Sequence, residues 1–85
     1  MKLVFTRTFV RDYRKLPRDI QKLTDKQLEL LLSDPRHPSL NFKKMQDPRD
    51  IWECRVTASY RFTLQIAEDM YVLRKIGTHD VLRNP

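Results

Sequence analysis

The chain has 85 residues, and its 17 Lys and Arg against 11 Asp and Glu give a formal net charge of +6. That length holds one domain, residues 1–85, with a thin margin of stability, and it excludes a deep pocket for a large cofactor. A single cysteine, Cys54, excludes an intrachain disulfide, and no apolar run approaches the ~20 residues of a membrane span or the core of a signal peptide.

Those exclusions lead to the expectation of a cytoplasmic protein with no membrane partner. The positive balance favours polyanions, through release of their counterions, or an acidic protein. Charge alone does not choose between them.

Lys2 to Thr6 is a short strand candidate, with Leu3 and Phe5 on one face and Val4 on the other. Thr8 is the expected N-cap of a helix. Phe9, Tyr13 and Leu16 then recur at i, i+4 and i+7, which is helical spacing. Pro17 suits the first turn of a second helix, whose stripe is Ile20, Leu23, Gln27, Leu30 and Leu31. That helix stops before Pro35, because a residue preceding proline avoids helical angles. Residues 8–33 therefore form a helical hairpin. Asp34 to Leu40 is loop by its prolines, and Asn41 to Met45 is a short strand before a proline turn over 46–50.

From Ile51 the period changes to two. Trp52, Cys54 and Val56 alternate with Glu53, Arg55 and Thr57. Tyr60, Phe62, Leu64 and Ile66 alternate with Arg61, Thr63 and Gln65, and Ala58-Ser59 joins the two strands as an antiparallel pair. Met70 to Ile76 is a third strand. The fold class is α+β: an N-terminal strand and a helical hairpin packed on one face of a mainly antiparallel sheet of four or five strands. The other face is expected to be open and to carry Glu53, Arg55, Arg61, Thr63 and Gln65, with Lys43 and Lys44 entering from the short strand.

In order along the chain, the loop PRHPSL, the strand segment WECRV, the strand start YRFTLQI and the ending LRKIGTHDVL resemble the RelE/ParE toxin superfamily across essentially the whole chain. The resemblance implies a toxin of a type II toxin–antitoxin system, a ribosome-dependent mRNA endonuclease that inhibits translation. Its partners would be the ribosome, mRNA and a cognate, acidic, partly disordered antitoxin. No metal and no cofactor are implied, because the 2′-hydroxyl nucleophile belongs to the substrate and is held close to the phosphate. ParE relatives share the fold and poison DNA gyrase by binding, so a non-enzymatic gyrase inhibitor is the alternative. An inactive basic module that binds nucleic acid is another.

Cleavage by the 2′-hydroxyl needs a base, cations facing the phosphorane and an acid for the leaving oxygen. Arg61 alternates to the open face, and its guanidinium fork matches phosphate oxygens. The resemblance implies that it stabilises the transition state. His79, just after the last strand, is implied as acid or general base, with Asp80 placed to hold its ring. Arg55, two residues from Glu53 on one strand, would bind phosphate. Glu53 is either a proton acceptor or the ion-pair partner of Arg55. Lys43 and Lys44 either contact substrate backbone or guard an edge strand against aggregation. Arg74 joins the phosphate-binding set. His37 reads as a loop residue, and Cys54 as an inert buried side chain. The chain carries no aromatic residue after Tyr71, so a stacking tyrosine near the C-terminus is missing, and with no final helix the groove is expected to be open.

Overall fold

A computed structural model describes residues 1–85. Five strands form one sheet in the order β1-β5-β4-β3-β2. They are β1 (Lys2–Phe5), β2 (Lys43–Lys44), β3 (Ile51–Arg55), β4 (Tyr60–Ala67) and β5 (Met70–Thr78). β1 runs parallel to β5, and every other pairing is antiparallel. Helices α1 (Arg7–Arg14) and α2 (Arg18–Ser33) form the hairpin. Short 3-10 helices cover Pro38–Leu40 and His79–Leu82. No helix is long and apolar enough to cross a membrane.

The helix-facing side of the sheet is apolar, as its period of two requires. Cys54, Phe62, Leu64, Tyr71, Leu73 and Ile76 meet Phe9, Leu28, Leu31 and Leu40 in one buried cluster. Phe9 stands edge-on to Phe62 with ring centroids 6.4 Å apart.

Three local readings are corrected. Thr6, not Thr8, caps α1: its hydroxyl accepts from Phe9 N–H at 3.2 Å and donates to the Leu73 carbonyl at 2.8 Å, so one side chain starts the helix and ties it to β5. On α2 the buried stripe is Thr24, Gln27, Leu28 and Leu31, while Leu23 is exposed. Two polar residues displace an apolar one because both are satisfied. Thr24 donates to the Ile20 carbonyl, and Gln27 donates to the carbonyls of Ser39 and Arg55. Finally, Ile66 leaves the core and is exposed, near the end of β4.

The turn after β3 is longer than a two-residue link. β3 ends at Arg55, and Val56 to Ser59 make the connection. The Thr57 hydroxyl accepts from the N–H groups of Ser59 and Tyr60, each at 3.1 Å. Thr57 therefore builds the turn instead of lining the polar face.

Candidate functional site

Cross-strand register sorts the polar face into rows. Arg55, Arg61 and Gly77 are paired across β3, β4 and β5. The next row is Lys43, Glu53, Thr63 and Lys75. A third holds Ile51 and Gln65.

Only the Arg55–Arg61 end of the first row is uncovered, which corrects the expectation of an open face. Ile51, Glu53 and Thr63 are buried on that side. The 3-10 helix His79–Leu82 folds back against β4 and β5. Gly77 permits this close approach, since a Cβ there would stand 2.9 Å from Val81 Cγ1. The chain then lays its last residues on the sheet. The Pro85 carbonyl accepts from the Thr63 hydroxyl at 3.0 Å and from Arg74 Nε at 3.2 Å, and the Asn84 carbonyl accepts from Lys75 Nζ at 2.6 Å.

Arg74 and Lys75 both reach these tail carbonyls because of a register shift. Thr63 pairs with Lys75 but Leu64 pairs with Leu73, so Arg74 is the extra residue of a bulge. Arg74 also donates to the Gln65 side chain at 3.1 Å, and Gln65 donates to the Arg49 carbonyl at 2.9 Å. Arg49 forks onto Asp47, with Nη2 2.8 Å and Nε 3.0 Å from the carboxylate oxygens. These bonds hold the Asp47 carboxyl down at about 2. Arg74 is thus committed to internal partners.

Glu53 pairs with Lys43, not Arg55, at 3.6 Å. Buried and bound, it is poorly placed to take a proton from a substrate. The two lysines part company, as strand alternation dictates. Lys43 shares the row of Glu53, whereas Lys44 is registered with Trp52 and bonds Asp50 at 2.9 Å. Lys44 therefore does not enter the polar face.

Arg61 is half-buried. Its Nη1 donates to the carbonyls of Thr57 and Tyr60, the latter at 3.0 Å. These bonds aim the guanidinium while leaving Nε–H and the Nη2 hydrogens free. Arg55 is exposed, and neither arginine forms an ion pair. His79 is exposed and starts the 3-10 helix, two residues beyond Gly77. Arg61 pairs with Gly77, so His79 follows its cross-strand partner by two residues, which on strand spacing and rise is about 8 Å between the two backbones. Asp80 makes no hydrogen bond to the His79 ring. No three metal-ligating side chains converge anywhere in the chain. Burial pushes the Cys54 thiol far above its ordinary range.

Sequence reasoning missed three features here. Gln27 and Thr57 were read as stripe and strand residues, although both organise the strand end that presents Arg55 and Arg61. The C-terminal cover left one signal, Gly77, the only glycine in the chain.

No protein-family model and no curated protein matches this sequence. Solved structures do. Escherichia coli YafQ superposes with a TM-score of 0.78 at 12% identity, covering 94% of each chain. The Agrobacterium tumefaciens YoeB/ParE toxin gives 0.77 at 17% identity, covering 93% of this chain and 99% of that one. RelE from the Methanococcus jannaschii RelB–RelE antitoxin–toxin complex gives 0.76 at 20% identity, covering 95% of each. These likenesses over nearly the whole chain show the fold: two helices beside a mostly antiparallel five-stranded sheet, the RelE/ParE-like toxin fold.

Proposed function

We propose that the chain is the toxin of a toxin–antitoxin pair and cleaves mRNA on the ribosome, at the corner of the sheet formed by Arg55, Arg61 and His79. One observation carries this reading: two arginines stand directly opposite each other across β3 and β4 with no carboxylate in their row. Like charges so placed are destabilising. A phosphodiester between them reverses the sign. The similarity in fold to RelE, YafQ and YoeB supports the toxin role, and the RelE solved with its RelB antitoxin supports an antitoxin partner.

In this scheme Arg55 binds the scissile phosphate. The free donors of Arg61 face the equatorial oxygens as negative charge gathers on the phosphorane. His79 transfers one proton, either from the attacking 2′-hydroxyl or to the leaving 5′-oxygen, and solvent water carries the other. Glu53 holds Lys43 in place, and Arg74 stays with the C-terminal cover. The corner is shallow and cannot orient a strand alone, so the ribosome supplies the alignment.

The test is inducible expression of Arg61→Ala, Arg61→Lys and His79→Ala, with primer extension on cellular mRNA. Loss of one oxyanion-type donor slows such a step by about 10²–10³, so Arg61→Ala should abolish discrete breaks and growth arrest. Arg61→Lys, which keeps the charge and loses the fork, should be impaired while folded. An Arg61→Ala protein that still cuts mRNA refutes the assignment. Breaks in gyrase-bound DNA in place of mRNA refute the nuclease.

A further inference from the structure

A second groove, of about 480 Å³, lies behind the strand end that carries Arg55. Its polar lining comes from Lys26 and Gln27 of α2, His37 and Ser39 of the proline loop, Arg55 at the end of β3 and Thr57 in the turn after it. No acidic residue lines it. Leu23, Leu30 and Val56 supply an apolar wall, and Leu23 is one of the few large apolar side chains left 41% exposed.

The polar groups divide into braces and free contacts. Gln27 is a brace, since its amide spans the carbonyls of Ser39, at 3.2 Å, and Arg55, at 2.8 Å. It holds the two walls at a set separation. His37 is oriented from one side only. Its Nδ1 accepts from the Ser39 backbone N–H at 3.2 Å and has the Ser39 hydroxyl at 2.8 Å. A backbone N–H can only donate, so Nδ1 carries the lone pair and the neutral ring holds its proton on Nε2. Nε2 makes no hydrogen bond within the chain. The groove therefore offers a ring nitrogen, Nε2, whose orientation Ser39 sets, a lysine outside any ion pair and an apolar wall.

We infer that this groove is a second nucleotide subsite, which holds the single-stranded RNA one step past Arg55 from the cleaved phosphate. The inference rests on the RNA reading above for the identity of the strand. Continuity supports it: Arg55 lines the groove and is also the cross-strand partner of Arg61. The chemistry fits a nucleotide, with a phosphate for Lys26, an acceptor atom for His37 Nε2–H and a base face for the leucine wall. His37 then has a binding role beyond the loop.

The experiment is fluorescence anisotropy of the full chain with a labelled hexanucleotide RNA carrying 2′-O-methyl groups, which cannot be cleaved, between 50 and 200 mM KCl. Each phosphate contact on a single strand contributes about 0.7 to the slope of log K against log salt. Lys26→Ala should lower the slope by about 0.7, and Lys22→Ala, on the same helix outside the groove, should leave it unchanged. His37→Asn keeps an N-cap oxygen for Ser39 N–H and removes Nε2. It should weaken binding about tenfold at every salt concentration with no change in slope. The subsite is wrong if Lys26→Ala leaves the slope at the wild-type value, if Lys22→Ala lowers it equally, or if His37→Asn binds as wild type. An unchanged slope in Arg55→Ala as well would instead mean that the RNA reading has failed, and the subsite with it.

Discussion

Gln27→Leu isolates what a buried amide contributes to this fold. Gln27 is 6% exposed, and its two strong acceptors are the carbonyls of Ser39 and Arg55, 12 and 28 residues away in sequence. Leucine fills a similar volume and strands both carbonyls beneath the helix. Two net hydrogen bonds at about 1 kcal/mol each, plus partial desolvation of the orphaned acceptors, offset by a little apolar burial, cost about 2–3 kcal/mol. In a domain of this size each kcal/mol moves Tm by about 4–8 °C, so the midpoint should fall by roughly 10–20 °C. Thr24→Val is the matched control on the same stripe. The Thr24 hydroxyl bonds only Ile20 O, one turn back in its own helix, so its removal should cost under about 1 kcal/mol. Urea unfolding by circular dichroism, with equal m-values, gives both numbers. If Gln27→Leu is no more destabilising than Thr24→Val, the long-range brace does not hold the hairpin to the strand end.

Two further outcomes follow from the titrating groups. The Cys54 thiol, fully buried and pushed up by desolvation and by the nearby Glu53 charge, should resist alkylation at pH 8 in the folded protein and label at the rate of global unfolding in urea; fast labelling of native protein would contradict the packing of β3. The Asp47 carboxyl, held at about 2 by Arg49, should titrate near that value by NMR and return toward 3.8 in Arg49→Ala. Because its folded value is depressed, the pair contributes stability above about pH 4, and that contribution is lost as the pH falls toward 2. A wild-type midpoint near 3.8 would show that the fork is not formed.

Legibility in the sequence followed the strength of each local signal. Strict alternation over Trp52–Val56 and Tyr60–Leu64 gave the core face of the sheet because burial on one side fixes register. The hairpin was legible from helical spacing and Pro17. Side-chain competition was not. Thr6 and Thr8 are equally good caps in isolation, and Thr6 wins because its hydroxyl also reaches Leu73 O. Leu23 outranks Thr24 by hydropathy, yet Thr24 is buried because a polar group with an internal partner loses little on burial. The bulge at Arg74 had no signal in a run of alternating residues. It turns two consecutive basic residues onto one face and makes them anchors for the tail.

That bulge also explains why so basic a chain leaves such a small site. Simple alternation would have sent Arg74 and Lys75 to opposite faces. With both on the polar side, their cationic heads bind the carbonyls of Pro85 and Asn84, which occupy them as phosphate oxygens would. Lys43 is taken by Glu53 and Arg49 by Asp47. On the polar face this leaves Arg55 and the outer edge of Arg61 free of internal acceptors, with the exposed His79 just past the end of β5. A site of two guanidiniums and one imidazole can stabilise a phosphorane but provides few contacts with which to select or align a strand. Under the proposed function the corner does not align the strand by itself, so a folded toxin mixed with free mRNA should cut far more slowly than on ribosomes. Equal rates in the two settings would mean that the corner aligns RNA unaided and that the ribosome is dispensable.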